Sequence, residues 1–300
     1  MSVHVPVMPG EVVEALRPQP GAVIIDGTLG GGGHTRLLAE RIGRDGRVVA
    51  LDRDAGPVEA AESWARGMPI AVAHANYAEA PEVLAELGLS HADGVVLDLG
   101  LSSDQLADRD RGFSFNSDGP LDLRFDTSAG EPASRLIQRL SAEHLADLIY
   151  AYGEERYSRR IARRIVERGR ERPIKTAADL AAVVRAAAPR NYDPKIDAAT
   201  RTFQALRIAV NEELTWLERG LKRLPGCLAP ANQHTPGGRI AILSFHSLED
   251  RIVKQAFRDD SRLEVVTRRP LRPSEEEIER NPRARSAKLR IAERNETAAN

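Results

Sequence analysis

Val23-Ile24-Ile25-Asp26-Gly27-Thr28-Leu29-Gly30-Gly31-Gly32-Gly33-His34-Thr35 is an apolar run, an acid, a cluster of glycines and then a helical pattern. An apolar run this short, bounded by turn formers, reads as a strand buried on both faces of a parallel sheet. The glycines let the chain turn tightly into a helix whose first N–H groups have no intrahelical acceptor, so bare backbone comes against a ligand. A second run, Arg47-Val48-Val49-Ala50-Leu51-Asp52, ends in another acid. It falls about twenty residues past the glycines, where a dinucleotide-binding βαβ unit places the carboxylate that accepts from ribose hydroxyls. Together the two runs imply an adenosine-bearing cofactor. They leave open which one, because NAD enzymes and S-adenosylmethionine (SAM) enzymes share such a turn, and a ligand-free structural turn is the remaining alternative.

Downstream, strand and helix patterns alternate. Leu37, Leu38 and Ile42 form a helical stripe ending at Gly43, and Pro57 opens a second helix carrying Val58, Ala61 and Trp64. Ile70 to Tyr77 reads as a third strand, Pro81 to Leu87 as a helix, and Gly94-Val95-Val96-Leu97-Asp98 as a fourth buried strand, again ending in an acid. This βαβ alternation predicts a doubly wound parallel sheet with ligands at the strand C-termini. After Asp98 the pattern becomes loop-like, with Phe113 and Phe115 among turn formers. Helical patterns follow: Pro132 to Leu140, Ser141 to Gly153, an Arg-rich helix to about Arg170, and Thr176 to Ala188, where Thr176 and Asp179 resemble a capping box. From Ala198 one apolar face runs through Phe203, Leu206, Val210, Leu214, Leu217, Leu221 and Leu224 and is expected to lead back into the sheet. Arg239 to His246 is a fifth strand, and Leu263 to Thr267 and Lys288 to Ala292 are two more, separated by a Pro- and Glu-rich excursion. The expectation is an α/β fold of seven strands, residues 1–108 and 200–300, with an all-helical insertion over 109–199.

Composition narrows the partners. Acidic and basic residues nearly balance, at 44 and 43, so only local clusters could attract an anionic polymer. One lies between Glu154 and Arg172, eight Arg against four Glu, and another comprises Arg268, Arg269, Arg272, Arg283, Arg285, Lys288 and Arg290. Either holds phosphates or is a solvated face. The single cysteine, Cys227, excludes an internal disulfide and a Cys-based metal site, and the His residues lack ligand spacing, so no metal site is expected. With no basic-then-apolar leader and no apolar run of membrane-spanning length, a cytoplasmic protein without membrane contact is expected.

Several motifs in order, Asp26-Gly27-Thr28-Leu29-Gly30-Gly31-Gly32-Gly33-His34-Thr35, Leu51-Asp52-Arg53-Asp54, Val96-Leu97-Asp98-Leu99-Gly100-Leu101-Ser102-Ser103-Asp104-Gln105-Leu106, Gly112-Phe113-Ser114-Phe115, Tyr152-Gly153-Glu154-Glu155-Arg156, Arg201-Thr202-Phe203-Gln204-Ala205-Leu206-Arg207-Ile208, Ser244-Phe245-His246-Ser247-Leu248-Glu249-Asp250-Arg251 and Pro282 to Arg290, resemble the RsmH (MraW) family over nearly the whole chain. The resemblance implies a class I (Rossmann-like) methyltransferase sheet ending in an antiparallel hairpin. It also implies transfer of a methyl group from SAM to the exocyclic N4 of a cytidine in the decoding region of 16S rRNA in the small ribosomal subunit. By the same resemblance the SAM contacts fall on Gly32, Gly33, His34, Asp52, Tyr77, Asp98 and Gln105. Tyr77 stands where Phe is common in the family, and Leu121 to Asp126 has Leu and Phe where Met is usual; neither change removes a polar group.

The implied chemistry sorts the remaining candidates. Methylation at C5 of cytosine needs a thiolate, and Cys227 lies in Pro225-Gly226-Cys227-Leu228, expected to be a turn before strand five and away from the strand-four loop. Transfer to an exocyclic amine instead needs a group that orients the nitrogen and accepts its proton. Asp98 is the first candidate, His246 the second, with Ser102 and Ser103 shaping the pocket or simply building a turn. Phe113 and Phe115 either stack on a flipped base or pack the insertion. Arg159, Arg160 and Arg163 are the candidate phosphate contacts of the insertion, which is expected to be an RNA-recognition domain.

Overall fold

The computed structural model describes residues 6–115, 118–189, 191–193 and 197–296. Two compact units emerge, residues 1–102 with 214–300, and residues 103–213. In chain order the elements are α1 (Pro9–Leu16), β1 (Val23–Asp26), α2 (Gly33–Ile42), β2 (Arg47–Asp52), α3 (Ala55–Trp64), β3 (Ile70–His74), α4 (Ala80–Glu86) and β4 (Gly94–Asp98). Then come α5 (Ser103–Ala107), α6 (Ala133–Arg139), α7 (Ala142–Gly153), α8 (Ser158–Glu171), α9 (Ala177–Ala187) and α10 (Ala198–Asn211). The chain continues with α11 (Glu213–Cys227), β5 (Arg239–Ser244), α12 (Ser247–Asp259), β6 (Leu263–Val265), α13 (Glu275–Arg280) and β7 (Lys288–Arg294).

The first unit is the expected seven-stranded sheet, in the order β3-β2-β1-β4-β5-β7-β6. The first five strands are parallel, and β7 runs antiparallel between β5 and β6. Each strand splits its apolar side chains between two faces by strict alternation. Ile25, Val49, Leu51, Val95, Leu97, Ile240 and Ile242 enter one core with Leu217, Leu221 and Leu224 of α11 and Val253 and Phe257 of α12. Ile24, Val48, Val96, Ala241 and Leu243 enter the other, with Val12 of α1 and Leu38 and Ile42 of α2. Because chain order reverses between the neighbouring β1 and β4, the crevice of the sheet opens at their C-terminal ends, at Asp26 and Asp98.

Several boundaries differ from the sequence reading. The third strand stops at His74, and Tyr77 begins a 3-10 turn capped by Asn76, whose Oδ1 accepts from the Ala78 N–H at 3.0 Å. The second helix starts at Ala55, ahead of Pro57, because the Asp54 carboxylate accepts from the Gly56 N–H and caps it. Helices α1 and α13 were not foreseen; α13 lies inside the Pro- and Glu-rich excursion.

Among the described residues the second unit is helical apart from an isolated antiparallel bridge between Pro120 and Thr176, and it is wider at both ends than the expected 109–199. Leu145 and Ile149 of α7, Ile161 and Ile165 of α8, Leu180 and Val184 of α9, and Phe203 and Leu206 of α10 are all buried. Thr176 caps α9 by accepting from the Asp179 N–H at 3.1 Å, without the reciprocal half of a capping box. The apolar face from Phe203 to Leu224 is two helices, not one: Glu212 takes a left-handed φ of 50° and ends α10. Leu217, Leu221 and Leu224 of α11 join the core of the sheet, and α10 packs on α7 and α9. Three- and four-residue spacing survives such a break, which is why it reads as one face.

Asn211, at the end of α10, ties this unit together. Its Oδ1 accepts from the Phe125 N–H at 2.7 Å, and its Nδ2 donates to the Leu123 and Arg207 carbonyls at 2.7 and 2.9 Å, all out of water. Asn211→Ala leaves the Phe125 N–H and the Leu123 carbonyl, at minimum, short of these partners, and is expected to cost the helical unit about 2–3 kcal/mol. The urea midpoint of that unit and faster hydrogen exchange at the Phe125 amide check it; an unchanged midpoint refutes it.

Candidate functional site

The glycine turn is shaped by close approaches. Gly27 donates to the Val96 carbonyl at 2.9 Å, extending β1 toward β4 by one residue, and Leu29 donates to the Leu51 carbonyl at 2.9 Å. Gly32 has φ +75°, and a Cβ there would lie 2.7 Å from Cη2 of Trp64, so the position needs glycine both for conformation and for space. Arg36 stacks its guanidinium 3.8 Å from the Trp64 ring and donates to the Gly31 carbonyl at 3.1 Å. The N–H groups of Gly33, His34 and Thr35, the first turn of α2, find no acceptor among the described residues. They form a donor set for an anionic group at the positive end of the helix.

Four acids surround this turn. Asp52 accepts from the Gly30 N–H on Oδ2 and from the Asp54 N–H on Oδ1, both at 2.9 Å. It is 9% exposed, and burial pushes its carboxyl up to about 6 although those two bonds pull it down. Each oxygen keeps a further lone pair, which is what a ribose diol needs. Asp26, 1% exposed, accepts from the Thr35 hydroxyl at 2.6 Å and the Thr28 N–H at 3.1 Å. Burial raises its pKa, against the opposing pull of His34 and those hydrogen bonds. Asp98, at the tip of β4, is placed by its own N–H donating to the Thr28 hydroxyl at 2.7 Å. The His34 imidazole is 5% exposed, with Nε2 3.6 Å from Oδ2 of Asp98. Burial disfavours its charged form, but Asp98, Asp26 and, from α13, Glu277 outweigh that and raise its pKa. A sheet edge bearing these acids attracts a cation and resists a pyrophosphate, so it suits a sulfonium nucleoside better than a dinucleotide.

The other expected site residues divide. Gly32, Gly33, His34, Asp52 and Asp98 come together at one edge of the sheet, and Ser102 lies at the same turn, its Cβ 3.3 Å from where a Cβ on Gly30 would be. Tyr77 follows β3 and is buried, its ring against Gly220 of α11 and its Cβ against Gly27. His246 lies at the end of β5 as the N-cap of α12: Nδ1 accepts from the Glu249 N–H at 3.4 Å and Nε2 is 3.1 Å from Glu249 Oε1. Both ring nitrogens therefore face Glu249, the geometry of a residue that fixes a turn. Cys227 belongs to the last turn of α11 and not to a free turn, with Pro225 inside the same helix; burial pushes its thiol up to about 11. In the basic C-terminal run, Lys288 and Arg290 are both held by Asp250, at 2.9 and 2.7 Å, and Arg283 donates to the Leu101 carbonyl.

Within the helical unit, Ser103 opens α5 and Gln105 is buried in it. Phe113 does not stand free as a base-stacking aromatic: it is 5% exposed and stacks on Phe125 at 5.6 Å, filling the unit's core. Phe115 is half-buried, edge-on to Phe203 at 5.8 Å, with the Arg185 guanidinium 5.6 Å from its ring. Arg159, Arg160 and Arg163 are exposed on α8, and among the described residues no carboxylate pairs with them. What the sequence reading missed is the side-chain cluster of Asp26, His34 and Glu277, and Trp64 as the wall of the glycine turn. The acid closing the first strand was the available signal for the cluster; nothing in the spacing pointed to Glu277.

Comparison with known proteins places this geometry. The model of the MraW methylase family matches residues 1–295. The ribosomal RNA small subunit methyltransferase H of Rhodopirellula baltica is 53% identical, covering 97% of this chain and 91% of that protein. Those of Syntrophotalea carbinolica and Synechococcus elongatus are each 49% identical, covering 97% of this chain and 98% and 94% of the relatives. A sheet with its hairpin end, a glycine turn under two strand-end acids and a match along nearly the full chain agree, and the chain belongs to the MraW methylase family, a methyltransferase with SAM as its methyl donor.

Proposed function

We propose that this protein methylates the exocyclic N4 of a cytidine in the decoding region of 16S rRNA, in the cytoplasm, with the small ribosomal subunit as its partner. The observation that carries the choice of atom is Asp98, a carboxylate held at the strand-four tip, while the chain's one thiol is buried in α11 in its protonated form. Without a thiolate to add at C6, C5 of cytosine is not made nucleophilic, and nitrogen is the acceptor that a carboxylate can serve. SAM supplies an activated methyl group on a sulfonium. The chain supplies the rest: the first-turn N–H groups at Gly33 and His34 for the amino-acid carboxylate, with Gly32 keeping the approach open, and Asp52 for the ribose hydroxyls. Tyr77 walls the adenine side, Gln105 bonds the amino-acid end, and Ser102 and Ser103 shape the strand-four loop. Asp98 accepts a hydrogen bond from the cytosine amine, turns the nitrogen lone pair toward the methyl carbon and takes the proton. It is favoured over His246, which serves as the N-cap of α12, its Nδ1 accepting from the Glu249 N–H.

Single-turnover transfer to small subunits that lack the modification, at saturating SAM, followed by nucleoside analysis, tests this reading. Asp98→Ala is expected to lose 100- to 10,000-fold in rate while binding RNA normally; a parent-like rate, or product at C5 or on the ribose, overturns it. Charge reversal at Arg159, Arg160 and Arg163 together is expected to weaken RNA binding and flatten its salt dependence by about two to three ions, with SAM affinity unchanged. Unaltered RNA affinity at low salt would make that row a solvated face.

Asp52 adds a pH dependence. Its carboxyl is raised to about 6, so in the free protein the protonated form is favoured by folding, and this residue's contribution to stability is full at low pH and declines as pH rises through about 6. A ribose diol needs the ionised form. Calorimetry should therefore show SAM affinity falling as pH drops below about 6, and Asp52→Asn should bind weakly at every pH with that dependence gone.

A further inference from the structure

We propose that His34 is the proton store of the site: its imidazole takes up, by way of Asp98, the proton that the cytosine amine releases as it is methylated. The proposal rests on the reading of Asp98 given above and extends it by one residue.

The geometry comes first. His34 Nε2 is buried and has no hydrogen-bond partner among the described residues, yet it points at Asp98, 3.6 Å from Oδ2. An unsatisfied buried nitrogen costs free energy, and one aimed at the carboxylate where the chemistry occurs needs a reason for being there. A closing movement of a few tenths of an ångström brings the pair to hydrogen-bond length, as active-site contacts commonly tighten when substrate binds. Three carboxylates act on the ring's charge, each from a different element. Asp98 comes from β4 and Asp26 from β1; Glu277 comes from α13, its Oε1 also accepting from the Met8 N–H at 2.6 Å. Thr35, the ring's neighbour on α2, turns its hydroxyl to Asp26 and leaves Nε2 to Asp98.

Charge balance supplies the second half. In the transfer a new N–C bond forms as the methyl carbon leaves sulfur; sulfur keeps the bonding pair and becomes a neutral thioether, and one proton leaves the nitrogen. The three carboxylates thus lose the positive charge of the sulfonium in the step that frees a proton. If the proton passes from nitrogen to Asp98 and then to His34 Nε2, Asp98 is again ionised and a cation again sits among the acids. The pocket's net charge is the same before and after. On this account His34 is neutral while a sulfonium is bound and charged once the thioether replaces it. The raised proton affinity of the ring in the free protein agrees with the charged half of that cycle. His34 acts through Asp98 and is a positioning residue for the proton, distinct from its main-chain N–H at the start of α2.

The test is the ionisation of His34, followed by NMR of the imidazole in the full-length protein, with the resonance identified by its loss in His34→Gln. The expected result is a proton affinity at least about tenfold lower with SAM than with S-adenosylhomocysteine. Equal titration in the two complexes overturns the proposal. As a second readout, at saturating SAM and RNA, His34→Gln transfers about tenfold or more slowly in single turnover and loses the pH dependence that tracks the imidazole; an unchanged rate and profile also overturn the proposal. Failure of the underlying reading looks different, because it is seen as undiminished transfer by Asp98→Asn, whereas equal His34 titrations in an enzyme that still needs Asp98 sink the proton store alone.

Discussion

Asp26 is sealed from water at the end of β1, accepting from the Thr28 N–H before the glycines and from the Thr35 hydroxyl after them. Those two bonds close the glycine turn from inside, so the turn is held by a carboxylate and not by its own sparse side chains. A buried carboxylate is costly unless its charge is answered. Here the answer is His34, carried in by the same turn that Asp26 closes. Once the imidazole is there, Asp98 on the neighbouring strand has a polarised partner, and the parallel pairing of β1 with β4 makes them neighbours. Cofactor cradle and reacting edge are in this sense one construction.

The sheet was legible because parallel strands buried on both faces announce themselves as short apolar runs ending in polar residues, the form that β1, β2, β4 and β5 have. Helix α1 was not, since Pro9-Gly10-Glu11-Val12-Val13-Glu14 opens on two breakers and its role depends on Met8 and Val12 meeting a distant face. Helix α13 is short, with Ile278 its single apolar residue, so no apolar stripe marks it. Ala198 to Leu224 misled for the opposite reason: a perfect stripe continues through a left-handed Glu212 that only the backbone reveals. Phe113 likewise looked exposed among turn formers, while the turn wraps it onto Phe125.

At the site, residue types were easier to read than residue relations. The acid after the second strand was visible, but not that Asp52 spends two lone pairs fastening Gly30 and Asp54 before any ligand arrives. His34 was read for its N–H at the head of a helix, and its ring proves to be the more constrained part. Trp64, an ordinary member of an amphipathic helix in the sequence, is the wall that makes glycine obligatory at position 32. Each of these depends on pairs of residues far apart in the chain, brought together by β-strand register, which spacing within one element cannot encode.

A nest of carboxylates is a poor place for a polyanion. Asp26, Asp52, Asp98 and Glu277 favour a sulfonium and disfavour phosphate, so attraction for RNA has to be generated outside the cofactor edge. Most of the C-terminal basic run near β7 is already spent or offset: Lys288 and Arg290 neutralise Asp250, Arg283 holds the Leu101 carbonyl, and the segment bearing Arg268, Arg269 and Arg272 is followed at once by three glutamates. Helix α8 is different, with an apolar side buried on its neighbours and exposed Arg159, Arg160 and Arg163 that pair with no acid among the described residues. On the proposed reading, phosphates are held by Coulomb attraction at these arginines and only an uncharged base need enter among the acids. The neutral cytosine is then the one part of the nucleic acid that the site does not repel, and the cation the acids are built to hold is the one the reaction consumes.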